Sequence, residues 1–241
     1  MNRILFERGE IADGIATCGG VRAEHILNVL HGEVGQTLKT GEVDGLVGTG
    51  EIVEIVRGGG DPLVRVKVDH SERGLEPGFD LILAPPRPRV MKRLMPQLAS
   101  LGVGTMVLVG AKKVEKDFWG ATLLKEENYR PLLVDGLMQS GTSALPRIET
   151  RRNFRAFVRD ELDAAFPTAN RVVAHPYGAS ARGASAADGG RLLLAVGPEG
   201  GWTDEEVELL ESRGFARYSL GRRILRTDTA LVALVARLCL D

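Results

Sequence analysis

Cysteine is scarce: among 241 residues only Cys18 and Cys239 carry thiols. Two thiols, one near each end, cannot build a disulfide framework or a cysteine-based metal site. That usage fits a reducing compartment. Long hydrophobic runs are missing as well. No stretch approaches the about 18 apolar residues of a membrane span, and the opening MNRILFERGEI lacks the roughly 7 to 15 apolar residues of a signal core. The expectation is a cytoplasmic protein with no membrane partner. Excess charge is absent too, since 31 Lys+Arg against 32 Asp+Glu leave a net charge of −1. This excludes a wholly basic nucleic-acid coat but permits a local basic patch. Neither G-x-G-x-x-G nor the P-loop pattern occurs, and H-E-x-x-H and G-x-S-x-G are missing. The four histidines, His25, His31, His70 and His175, show no metal spacing, so no metal site is expected.

Glycine, by contrast, is abundant: 30 of 241 residues, so turns and close backbone approaches should be frequent. After a helical candidate over 22–30, closed by Gly32, residues 36–43, 46–56 and 63–68 read as short strands. Asp44-Gly45 is a favoured two-residue hairpin turn, and the 58–62 run GGGDP reads as a hairpin loop. The first part looks like a small β-barrel, with a polar linker over 72–78 and a boundary near residue 76. From Leu81 onward, strand-like runs (81–84, 105–109, 171–175, 191–197, 216–220) alternate with helical patterns. One helix runs over 153–164 with Asn153 as N-cap. This alternation predicts an α/β fold with a parallel sheet. The Gly/Ala/Ser run 178–190 reads as a surface loop.

Ligands of open parallel sheets bind at the carboxyl ends of strands. Gly197-Pro198-Glu199-Gly200-Gly201-Trp202 leaves a strand and enters a helix whose start is fixed by a Thr203/Glu206 capping box, with Trp202 and Val207 as a hydrophobic staple. Its glycines let a ligand approach the backbone closely, although a plain strand-to-helix turn also satisfies the pattern. Ser219-Leu220-Gly221-Arg222-Arg223-Ile224-Leu225-Arg226 follows the last strand. There Leu220, Ile224 and Leu225 can wall an apolar slot for a flat purine ring. Of the histidines, only His175 falls at a strand end. Two basic clusters, Arg87/Arg89/Lys92/Arg93 and Lys112/Lys113/Lys116, can hold phosphates or form solvated faces.

The segments GPEGGWTDEEVELL and SLGRRILRTDTALVALVARL, preceded by a small barrel, resemble the RsmE family of 16S rRNA uridine-N3 methyltransferases of the SPOUT superfamily. The resemblance implies a PUA-like β-barrel RNA-binding domain at 1–75 and a trefoil-knotted SPOUT methyltransferase domain at 76–241. It further implies S-adenosylmethionine (SAM) as cofactor, 16S rRNA or the small ribosomal subunit as partner, and a homodimer. The implied cofactor-binding residues are Ala174, His175 and Pro176, then Gly197, Pro198, Glu199, Gly200 and Gly201, then Ser219, Leu220, Gly221, Ile224, Leu225 and Thr229. RNA-binding candidates are Arg87, Arg89, Lys92, Arg93, Arg222 and Arg223. Two segments depart from the family pattern: PQLASLG at 96–102 and MQSGT at 138–142. Methylating uridine N3 requires a proton to leave, so an arginine that favours the ring anion is the expected catalytic group, with Arg226 first and Glu199 as a candidate proton acceptor. Another RNA position, or an RNA-binding module without activity, are the alternatives.

Overall fold

Short β-branched runs divided by glycine and polar turns make six strands in the first part of the chain: β1 (Ile4–Phe6), β2 (Ile11–Ala12), β3 (Ile15–Cys18), β4 (Thr37–Glu42), β5 (Val47–Val56) and β6 (Leu63–Glu72). They form one sheet in the order β1-β4-β5-β6-β3-β2, with β1 parallel to β4 and the other pairs antiparallel. Alternation sets the faces: Val64 and Val66 are buried while Arg65 and Lys67 point outward. The inner face packs Ile4, Phe6, Ile26, Leu38 and Ile52 into one core. The helical candidate over 22–30 is realised as α1 (Gly20–Glu24) running into a wider π turn, His25–Val29. His31, at φ 52°, reverses the chain ahead of Gly32.

The structure, a computed structural model, describes residues 2–58, 60–177 and 191–239. The 178–190 run and Gly59 of the expected glycine loop lie outside the described residues. Two compact units result: Met1–Glu76 with Val134–Leu145, and Pro77–Leu133 with Pro146–Asp241. Residues 134–145, which chain order alone puts in the second unit, are stitched to the first. Asn2 N and Arg3 N donate to Met138 O (2.9 and 3.1 Å), and Thr142 Oγ1 donates to Leu75 O at 3.1 Å. The same segment reshapes the Asp44-Gly45 turn. Asp44 Oδ1 accepts from Leu145 N at 2.7 Å and Asp44 N donates to Ser143 O at 2.8 Å. The expected two-residue hairpin is therefore a longer connection, residues 43–46, with Asp44 alone left-handed (φ 57°).

The second unit alternates strands and helices: β7 (Phe79–Leu83), α2 (Pro88–Ser100), β8 (Val103–Val109), the first part of α3 (Glu126–Ser140, from Val134 on in the first unit), β9 (Arg147–Arg151), α4 (Phe154–Ala156), α5 (Leu162–Ala165), β10 (Asn170–Ala174), β11 (Leu192–Val196), α6 (Asp204–Glu211), β12 (Ala216–Tyr218) and α7 (Thr227–Leu238). All six strands are parallel in the order β12-β10-β11-β7-β8-β9. This is an α/β fold with a parallel sheet. Strands β7 and β11 are buried along their whole length, as central strands of such sheets are, and all but Asp80 of their residues are apolar. At the amino edge, Asp80 fastens neighbours by accepting from Thr105 N (2.6 Å) and Arg191 Nη2 (2.9 Å). The carboxyl edge carries the loops that bear the candidate chemistry.

Candidate functional site

The carboxyl ends of the adjacent strands β12, β10 and β11 surround a cleft of about 340 Å³. Ala174, His175 and Pro176 line it after β10, Gly197, Pro198, Glu199, Gly200 and Gly201 after β11, and Ser219, Leu220, Gly221, Ile224 and Leu225 after β12. Thr229 lies outside this lining, and Thr227, Ala230 and Leu234 of α7 take part instead. Tyr177, Val196, Trp202 and Tyr218, not anticipated as cofactor contacts, complete the wall with Arg223 of the 219–226 loop, which was named as an RNA contact. The 227/230/234 spacing was a readable signal, because it marks one face of a helix. Leu220 and Leu225 are each 37% exposed and Ile224 is 73% exposed. An open cleft walled by apolar side chains, with glycine backbone opposite, is the ordinary form of a site for a flat organic ring.

The loops are held partly by one another and partly from outside the cleft. Gly201 N donates to Pro198 O at 2.8 Å, closing a turn in which Gly201 is left-handed (φ 67°). Lys113 Nζ donates to Gly200 O at 2.8 Å. The capping box at α6 forms as the sequence predicts: Thr203 Oγ1 accepts from Glu206 N, and Glu206 Oε2 from Thr203 N at 2.8 Å. The buried Glu206 also accepts from Lys112 N through Oε1 at 2.8 Å, tying the loop after β8 to the loop after β11. Trp202 is buried and stacks on Phe154 with ring centroids 5.1 Å apart. On the other side, His175 N donates to Tyr218 O at 2.9 Å and Ser219 Oγ to Pro176 O at 3.1 Å.

The proposed catalytic residues stand differently. Arg226 is the N-cap residue of α7; its carbonyl accepts from Ala230 N at 2.8 Å, while its exposed side chain forms no ion pair among the described residues. Glu199 lines the cleft, and its Oε1 accepts from Arg87 N at 3.0 Å. It thereby holds the N-cap residue of α2. Of the basic cluster, Arg87 pairs with Glu115 (2.9 Å) and Arg93 with Asp228 (3.1 Å), whereas Arg89 and Lys92 have no ion pair among the described residues. The same is true of Arg222 and Arg223, and Arg223 lines the cleft. Burial pushes the Cys18 thiol up to about 11 and the Cys239 thiol up to about 12, so neither is a ready nucleophile. Among the described residues no group of three or more His, Cys, Asp or Glu could hold a metal ion, and no helix is long and apolar enough to cross a membrane.

Comparison with known proteins gives this site a context. A family model for an RNA methyltransferase domain matches residues 76–239. A ribosomal RNA small subunit methyltransferase E of Treponema pallidum is 30% identical over 242 residues, covering 98% of this chain and 90% of the relative. A second relative, ribosomal RNA small subunit methyltransferase E 1 of Borreliella burgdorferi, is 24% identical over 97% of this chain and 95% of its own. In fold, the chain matches the crystal structure of a ribosomal RNA small subunit methyltransferase E from Neisseria gonorrhoeae bound to S-adenosyl methionine. The TM-score is 0.74 at 21% identity, over 98% of this chain and 96% of that one. A domain model spanning most of the chain and a relative matched along nearly its whole length agree, and the chain belongs to the ribosomal RNA small subunit methyltransferase E family of RNA methyltransferases.

Proposed function

We propose that this protein methylates N3 of a uridine in 16S rRNA of the small ribosomal subunit, using SAM held in the cleft at the carboxyl ends of β10, β11 and β12. The observation that carries the reading is the form of that cleft in a member of this family. Three hydrogen-bonded strand-end loops enclose it, with glycine backbone on one side and Leu220, Ile224 and Leu225 on the other. These residues fit the cofactor: apolar side chains to cover an adenine ring, and loop backbone near the glycines to pair its polar edge. SAM supplies a methyl group already electrophilic on its sulfonium, so the protein's task is alignment and charge control. Arg226 stabilises the negative charge that spreads over the uracil ring as the N3 proton departs. Glu199 is the candidate to accept that proton, although its bond to Arg87 N competes for one carboxylate oxygen.

The same reading takes the first unit as a PUA-like RNA-binding domain, the C-terminal strands as a trefoil knot, and the working form as a cytoplasmic homodimer. Family membership supports these points. Arg87, Arg89, Lys92, Arg93, Arg222 and Arg223 are the proposed RNA contacts. Arg89, Lys92, Arg222 and Arg223 keep their charge free of ion pairs among the described residues. The deciding experiment is methylation of small subunits from a strain lacking the gene, followed by mass mapping of the nucleosides. N3-methyluridine is expected, and another modified base or a ribose methyl would redirect the reading. Truncating Leu220 or Leu225 to alanine should weaken SAM binding by about 1 to 3 kcal/mol, the scale of one buried aliphatic side chain. Calorimetry checks this, and an unchanged Kd would remove that residue from the ring-binding wall. Activity on prefolded subunits should also survive chelation of transition metals, because the methyl donor needs no Lewis acid. Loss on chelation with rescue by zinc would overturn that expectation.

A further inference from the structure

A second pocket of about 390 Å³ opens at the same carboxyl edge of the sheet, beyond the ends of β8 and β9. Gly110, Lys112, Arg152, Asn153, Phe154 and Arg155 line it, together with the capping pair of α6. Its charge is unbalanced. Arg155 is paired with Glu205, and the buried carboxylate of Glu206 is taken up by Lys112 N and Thr203 N. Lys112 Nζ and the Arg152 guanidinium have no carboxylate partner among the described residues. Arg152 is nevertheless oriented: it lies over the Trp119 ring, 5.8 Å from the centroid, and donates from Nη2 to Trp119 O at 3.4 Å. The backbone is brought close by Gly110, where a Cβ would fall 2.0 Å from the Arg152 carbonyl oxygen.

This pocket is the neighbour of the cofactor cleft. Trp202 lines the cleft, Phe154 lines the pocket, and the two rings stack on each other as the partition. In the sheet, β8 and β9 lie two and three places from β11, which sets the two openings roughly 10 to 15 Å apart at the usual strand spacing. Between them, after β7, stand Arg87 and Arg89. A polyanion whose target base enters the cleft would thus run over cations toward the pocket. We propose that Lys112 and Arg152 hold a backbone phosphate of the rRNA, flanking the nucleotide that is methylated. This rests on the rRNA methyltransferase reading above, and it assigns to this pocket positioning of the substrate strand, with no part in the chemical step.

The test uses the full-length protein as wild type, Lys112→Gln, Arg152→Gln and the double variant. Methylation is measured on small subunits lacking the mark, over a range of subunit and salt concentrations, and SAM affinity is measured by calorimetry. The double variant should raise the KM for subunits about tenfold or more and keep kcat within about twofold. The slope of log kcat/KM against log salt should flatten by about one, the share of a single phosphate contact. SAM affinity should be unchanged, and Arg152→Lys should recover part of the KM, since it keeps the charge without the planar fork. An unchanged KM and salt slope in the double variant would overturn the proposal while wild-type methylation left the parent reading intact. Lost SAM affinity would assign both residues to the fold instead. Stabilisation of the wild type by inorganic phosphate with no KM effect in the variants would make the pocket a small-anion site, again against the proposal. A wild type that neither bound nor methylated subunits would fail the parent reading first.

Discussion

Arg226→Ala is expected to slow methyl transfer about 100-fold or more, by analogy with removal of one preorganised oxyanion donor. The rate should be read in single turnover with saturating subunits and SAM, so that binding defects drop out. The structure separates this expectation from a folding effect. Arg226 caps α7 with extended backbone (φ −65°, ψ 151°), and its side chain makes no capping hydrogen bond. A cation at a helix N-terminus opposes the helix dipole, a cost of about 0.3 to 1 kcal/mol at an exposed site. Alanine should therefore leave the melting temperature unchanged or slightly raised while activity falls. Arg226→Ser, a better N-cap, should be more stable and still slow. Arg226→Lys keeps the charge and loses the planar fork, so it should retain part of the rate. A wild-type single-turnover rate in the alanine variant would demote Arg226 to a structural residue, and a defect confined to SAM affinity would demote it to a cofactor-holding one.

The loops that form the cleft were legible because each is local. A buried apolar strand, a glycine turn and a capping box occur in order within residues 192–206, and the structure forms the box and buries Trp202 and Val207 in one core. Less local features escaped. Strands β1 to β3 have two to four residues each, too short for period-2 alternation to register. Strand β9 reads RIETR, a polar edge strand that takes its place through pairing with β8. Helix α2 did carry a signal, with Met91, Leu94, Met95 and Leu98 buried at helical spacing.

Residues 134–145 show the limit of reading along the chain. Their attachment to the first unit runs through backbone carbonyls of Met138 and Gly141 and through the Ser143 hydroxyl, which donates to Gly45 O at 2.8 Å. Such bonds leave no pattern of residue types. The basic clusters meet a related limit: composition shows charge but not its partner. Arg87 and Arg93 looked equivalent to Arg89 and Lys92, yet the first two are paired with Glu115 and Asp228. Neutralising all four together would therefore mix phosphate contacts with the Arg93–Asp228 pair that links α2 to the start of α7. The cleaner test of RNA contact is the pair Arg89→Gln and Lys92→Gln.

Gly197→Ala is expected to weaken SAM binding on the order of 100-fold, the upper end of the about 1 to 3 kcal/mol that overpacking a tight site costs. A Cβ on Gly197 would lie 2.9 Å from Trp202 N and 3.2 Å from the Gly201 carbonyl carbon, both backbone atoms. Neither side can yield cheaply. Behind Gly197, Val196 is in register with Leu83 and accepts from Ala84 N at 2.9 Å. Ahead of it, Trp202 is fixed by its stack on Phe154 and Thr203 by the capping box. The strain must therefore go into residues 198–201, the part of the turn that lines the cleft. Gly120→Ala is the control, since a Cβ there meets nothing within 4 Å. Calorimetric titration with SAM, alongside thermal melts, separates loss of the site from loss of the fold. Wild-type affinity in Gly197→Ala would mean that the turn after β11 is free to move, and that its close packing does not shape the cofactor site.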